Sequence, residues 1–142
     1  MSSPKSSPSP LTLGPICLGG STFGREIDEA AAFALMDHAL TRGVPLFDTA
    51  ATYSAGASEK IVGAWLASRR PAAGAPAIAT KIYPPYTSAA IDTAVAASAA
   101  RLGVTTIDLL YLHKWDDTAG KPEAVRALDL LDLPRLLIDA LE

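Results

Sequence analysis

The chain has 142 residues, of which 49% are hydrophobic and 19% charged, and its net charge is −3. That apolar fraction excludes a disordered chain, and the slightly acidic balance speaks against a nucleic-acid partner. No apolar run reaches the roughly 18 residues of a membrane span, and a single cysteine, Cys17, excludes an internal disulfide.

The first ten residues are almost all Ser and Pro, so residues 1–10 are expected to be a flexible tail. No apolar stretch follows Met1-Ser2-Ser3-Pro4-Lys5, which is unlike a secretory signal, and a cytoplasmic location is expected. A short apolar run, Pro15-Ile16-Cys17-Leu18, ends in Gly19-Gly20. A helix is predicted from about Asp28 to Arg42, with Asp28 as N-cap and Gly43 as its left-handed terminator. Ala32, Leu35, Met36, Ala39 and Leu40 recur along it at helical spacing. A second apolar run, Val44 to Phe47, ends in Asp48, and a second helix follows from about Ser58 to Ser68. A third run, Ala77 to Thr80, ends in Lys81, and a third helix runs from about Ser88 to Leu102, stopping at Gly103. A fourth run, Ile107 to Leu112, ends in His113. A last helix is predicted to begin near Pro122, with Pro134 interrupting it.

The four strand ends fall near residues 18, 48, 81 and 113, at intervals of 30, 33 and 32. Each interval is the length of one strand-helix unit. Alternating strands and helices, with runs apolar on both faces, predict a parallel sheet of the α/β class. A closed eight-unit barrel takes about 250 residues. Four units in 11–142 therefore leave two architectures, a small open sheet or half of a (β/α)8 barrel.

In parallel α/β folds, sites form at the carboxyl ends of the strands. Here those ends carry Asp48, Lys81 and His113, and Tyr53 lies in the loop just past Asp48. Each alone has an ordinary structural reading: a turn carboxylate, a solvated lysine, a packed ring, a strand-end imidazole. Together, on successive strand ends, a carboxylate, an amine, an imidazole and a phenol converge on one rim.

Four segments carry a resemblance. Phe47-Asp48-Thr49-Ala50 with Tyr53 and Gly56-Ala57-Ser58-Glu59 resembles an aldo-keto reductase strand ending in Asp, its Tyr, and its Gly-x-Ser-Glu helix start. The segment from Arg101 to His113 resembles the stretch that leads into that family's histidine. Thr80-Lys81 resembles the strand supplying its lysine, and Leu18 to Gly24 its first strand and loop. The likeness covers about Leu11 to Leu128.

The resemblance implies the N-terminal half of a (β/α)8 TIM barrel, with residues 11–142 as a truncated domain. It implies NADPH-dependent reduction of an aldehyde or ketone, with Asp48, Tyr53, Lys81 and His113 as the catalytic tetrad. Tyr53 would protonate the carbonyl oxygen. A free phenol ionises near pH 10, and the Lys81 cation would stabilise the phenolate. Asp48 would hold Lys81, and His113 would polarise the carbonyl. Gly19, Gly20, Ser21 and Asp48 would lie at the nicotinamide end of the cofactor, and Tyr83 and Trp115 on loops facing substrate. In the family, the second half of the barrel supplies most NADPH contacts.

Half a barrel leaves its first and fourth strands as open edges, an expected route to self-association. A competing reading is therefore a non-catalytic remnant or interaction module of the same fold. A third takes Lys81 as a Schiff-base nucleophile. With two histidines far apart and one cysteine, no metal spacing is visible. Cys17 is expected to be a small core residue, His38 to sit on a solvated helix face, and Trp65 to belong to the core.

Overall fold

The computed structural model describes residues 14–69 and 75–114. The Ser/Pro segment 1–10, Trp115, and the helix expected from Pro122 lie outside the described residues.

The element order is β1 (Leu18–Gly19), α1 (Glu29–Thr41), β2 (Leu46–Asp48), a 3-10 turn (Tyr53–Gly56), α2 (Ala57–Arg69), β3 (Ala77–Ile82), α3 (Ser88–Leu102) and β4 (Leu109–Leu112). All pairings are parallel, in the order β1-β2-β3-β4. These are three consecutive βα steps and a fourth parallel strand, matching the N-terminal half of the barrel pattern. No helix among the described residues is long and apolar enough to cross a membrane.

Local chemistry sets the helix ends. Asp28 caps α1, its Oδ1 accepting from the Ala31 amide at 2.8 Å. Thr87 does the same for α3 through the Ala90 amide. The chain leaves α1 and α3 through Gly43 and Gly103, at φ of 71° and 66°, a conformation that costs a residue with a Cβ.

The strand period of two sorts the sheet into faces. In register, Phe47 pairs with Ile78 and Thr80 with Leu110, while Asp48 pairs with Ala79 and Lys81 with Tyr111. The first set faces the helices. Phe47, Ile78, Ile82 and Leu110 join Met36, Trp65, Ile91, Val95 and Leu102 in the main core. The second set faces away, where Leu46, Ala79 and Leu109 form a smaller cluster with Ala77 and Tyr111.

The helices on the covered face are tied to each other and to the sheet. Asp37 of α1 accepts from Arg69 Nε and Nη2 at 2.8 and 2.7 Å and from Trp65 Nε1 at 2.8 Å. Trp65 is fully buried, as expected, with its ring tilted against Phe47 at 5.3 Å. Gly63 lets α2 approach the end of α3: a Cβ there would stand 2.6 Å from the Leu102 carbonyl oxygen. Leu35, placed on the apolar stripe by its spacing, is instead 42% exposed, because Met36 and Ala39 define the buried side of α1.

Candidate active site

The face turned away from the helices ends in a cavity of about 450 Å³, lined by Cys17, Leu46, Asp48, Tyr53, Lys81, Tyr111, Leu112 and His113. All four residues picked from the strand ends line it. Asp48 ends β2, and the register puts Lys81 two residues further along the neighbouring strand, on the same face. His113 follows β4, its amide donating to the Ile82 carbonyl at 2.9 Å.

Lys81 is the centre of the cluster. Its Nζ donates to both carboxylate oxygens of Asp48 at 2.6 Å, to the Thr49 carbonyl at 3.0 Å and to the Tyr53 hydroxyl at 3.3 Å. The ammonium also lies 4.9 Å from the centre of the Tyr53 ring and 5.9 Å from that of Tyr111. The side chains of Lys81 and Asp48 are about one-fifth exposed, so water screens the pair only in part.

Tyr53 is aimed by an unusual turn. The two residues after it, Ser54 and Ala55, have φ of 51° and 52°, the left-handed region that non-glycine residues rarely occupy. Ser54 Oγ donates to the Phe23 carbonyl at 2.9 Å and fastens the turn to the loop after β1. Below the turn, Ser58 Oγ bonds Thr49 Oγ1 at 2.7 Å and donates to the Gly20 carbonyl at 2.8 Å.

His113 stands edge-on to Tyr53, with ring centres 5.6 Å apart and planes at 86°, and to Tyr83, at 6.1 Å and 72°. Its Nδ1 is 3.1 Å from Thr52 Oγ1. Burial holds the imidazole below its ordinary protonation range; the Lys81 charge pushes the same way, and Asp48 opposes both. The ring is therefore neutral near pH 7, with one N–H to donate.

The other sequence expectations are distributed unevenly. Tyr83 is 48% exposed on the rim beside His113. Gly19 and Ser21 are exposed at the end of β1. Gly20 is buried: its amide donates to the Asp48 carbonyl at 2.8 Å, and a Cβ on it would meet Ser58 Oγ at 2.8 Å. Cys17 is a correction. It is exposed and lines the cavity rather than the core, because it precedes the first paired residue, Leu18, and falls on the side of the sheet without helices. His38 is exposed on α1, as read.

Sequence reasoning missed the support behind the cluster. Glu59 is fully buried on α2, where Thr80 Oγ1 and Arg101 Nε each donate to it at 2.5 Å. Arg101 also donates to Ser98 Oγ at 3.1 Å and packs against Gly56, which closes the Tyr53 turn. The network thus touches the residue before Lys81 and the turn that carries Tyr53. The Ser-Glu helix start was visible in the sequence, but its partner lies 42 residues away.

Comparison with known proteins bears on this geometry. The sequence profile of the Aldo/keto reductase family matches residues 15–133, somewhat beyond the Leu128 at which the motif-by-motif likeness ends. Norsolorinic acid reductase B of Aspergillus parasiticus is 34% identical over 141 residues, an alignment covering 84% of this chain and 37% of that protein. Among solved structures, the holo form of an aldo-keto reductase from Bacillus halodurans superposes with a TM-score of 0.76 at 28% identity, over 87% of this chain and 45% of that one. An aldo/keto reductase from Klebsiella pneumoniae, in complex with NADP and acetate, superposes with a TM-score of 0.66 at 27% identity, over 88% and 45%. The chain thus spans less than half the length of these relatives.

Proposed function

The chain belongs to the Aldo/keto reductase family, and from that premise we propose that it reduces the carbonyl group of an aldehyde or ketone with NADPH. The observation that carries the reading is the Lys81 ammonium, bonded at once to the Asp48 carboxylate and the Tyr53 phenol in a cavity also lined by His113.

The end of β1 fits the nicotinamide end of a dinucleotide. No atom lies within 4 Å of the position a Cβ would take on Gly19, so a flat ring has room there. Gly19, Ser21 and Asp48 would hold that end, and Gly20, with no side chain, keeps the loop pressed onto Ser58 beneath it. Bound there, reduced nicotinamide supplies a hydride. The Klebsiella relative's complex with NADP supports this cofactor.

The protein groups do the proton work. Negative charge develops on the carbonyl oxygen as its carbon is reduced. The Tyr53 hydroxyl donates its proton to that oxygen. Lys81, 3.3 Å from the Tyr53 oxygen, stabilises the phenolate that remains. Asp48 keeps the ammonium in place with two 2.6 Å contacts. His113, neutral, offers its N–H to the same carbonyl oxygen and orients it. Tyr83, on the rim beside His113, contacts the substrate side chain.

Tyr53→Phe tests the assignment. The ring and its packing persist while the proton donor is gone. Carbonyl-dependent NADPH consumption should fall by at least about 100-fold, the lower range for general acid catalysis, with an unchanged circular dichroism spectrum. Activity within tenfold of the parent would refute Tyr53 as the acid.

A further inference from the structure

Among the described residues, the His113 ring meets the side chains of Tyr53, Tyr83 and Thr52 on the rim. Tyr53 and Tyr83 meet its ring edge-on, which restrains the plane of the imidazole. Neither contact distinguishes one ring nitrogen from the other. The Thr52 hydroxyl does, because it lies 3.1 Å from Nδ1. We propose that Thr52 is a positioning residue that sets the tautomer of His113: its hydroxyl donates to Nδ1, leaving the proton on Nε2 as the donor for a ligand in the cavity.

The direction of that hydrogen bond follows from the acceptors available. The unprotonated nitrogen of a neutral imidazole is a better acceptor than a hydroxyl oxygen, and a threonine O–H rotates freely to reach it. A neutral imidazole carries one N–H, and the bond at one nitrogen decides which nitrogen has it. The neighbouring Lys81 charge and the burial of the ring keep the imidazole neutral, so the choice between nitrogens has a consequence. With the opposite tautomer, Nε2 would present a lone pair and repel a carbonyl oxygen carrying developing negative charge.

Thr52 itself is exposed, one residue before the tyrosine, in a loop whose fold rests on Ser54, Ser58 and Thr49 rather than on its own hydroxyl. Thr52→Val should therefore fold like the parent. The kinetic part of this inference rests on the reductase reading; the tautomer part stands apart from it.

The test uses the full chain with 15N-labelled histidine, at a pH well above the ordinary histidine range. His38, exposed on α1, serves as an internal reference, and His38→Asn assigns the two sets of signals. In the parent and in Thr52→Ser, His113 should show a protonated Nε2 and an unprotonated Nδ1. In Thr52→Val, its signals should move toward the mixed tautomers of His38. In parallel, kcat/KM for carbonyl reduction should fall about threefold to tenfold in Thr52→Val, the range of one neutral hydrogen bond, and return in Thr52→Ser. A protonated Nδ1 in the parent, or nitrogen signals unmoved by Thr52→Val, would overturn the proposal. Absence of activity in every variant, with the nitrogen signals as expected, would uphold the tautomer assignment and refute the reductase reading.

Discussion

Replacing Arg101 by methionine strands a buried charge. Glu59 is fully enclosed, and its Arg101 partner is 25% exposed at the side chain. Thr80 would remain the donor to the Glu59 carboxylate. Removing one member of a buried ion pair costs about 3–5 kcal/mol. Water reaches the arginine side of this pair, which places the expected loss near the lower end, about 3 kcal/mol. Domains of this kind are stable by about 5–15 kcal/mol in total, so the change is large. With a urea m-value of about 2 kcal/mol/M, the midpoint should fall by about 1.5 M. Tryptophan fluorescence reports it, because Trp65 is buried with its indole N–H bonded to Asp37. Glu59→Gln with Arg101→Met removes the stranded charge and keeps an acceptor for Thr80. The double variant should regain at least half of the loss. A loss under about 1 kcal/mol for Arg101→Met, or additive effects in the cycle, would refute the view that this pair holds the Tyr53 turn and the Lys81 strand together.

Gly63→Ala should destabilise the fold by about 1–3 kcal/mol, because the new methyl would meet the carbonyls of Arg101 and Leu102; an unchanged urea midpoint would contradict the close packing of α2 on α3. His113 binds its proton less readily when folded than when unfolded. Its contribution to stability is present above the ordinary histidine range and is lost as pH falls below about 6.5 toward the depressed folded value. Thermal midpoints measured against pH should drop through that window, and His113→Asn should flatten the drop. Asp37, held down to about 2 by Arg69 and by the Trp65 indole, acts in the same direction at lower pH. Stability should fall as pH drops below the ordinary carboxylate range, less steeply in Asp37→Asn and in high salt, since the pair is open to solvent.

The regular part of the fold was legible in the sequence. Helical spacing, an Asp cap and terminal glycines mark α1 and α3, and each signal lies within a few residues of what it determines. The strand ends were equally plain, because the first apolar run stops at a glycine pair and the other three at Asp48, Lys81 and His113. Cys17 shows the limit of that reading: an apolar run does not tell which side of the sheet will be covered by helices. The left-handed turn after Tyr53 carried no signal, since Ser54 and Ala55 are not residues that announce positive φ. Glu59 with Arg101, and Thr52 with His113, are long-range pairs made only when successive strands lie side by side. The residues that do the proposed chemistry, and Asp48 that holds Lys81, were found from the sequence; Arg101 behind Glu59 and Thr52 beside His113 were not.

The most direct measurement is a kinetic double-mutant cycle on Tyr53 and Lys81, with NADPH and an aldehyde as substrates. If Lys81 acts through the Tyr53 hydroxyl 3.3 Å away, Tyr53→Phe and Lys81→Met should each remove most of the activity, and the double variant should be scarcely worse than Tyr53→Phe alone. Losses that multiply, or a parent chain that does not oxidise NADPH with any carbonyl compound, would contradict the claim that this cluster works as one unit.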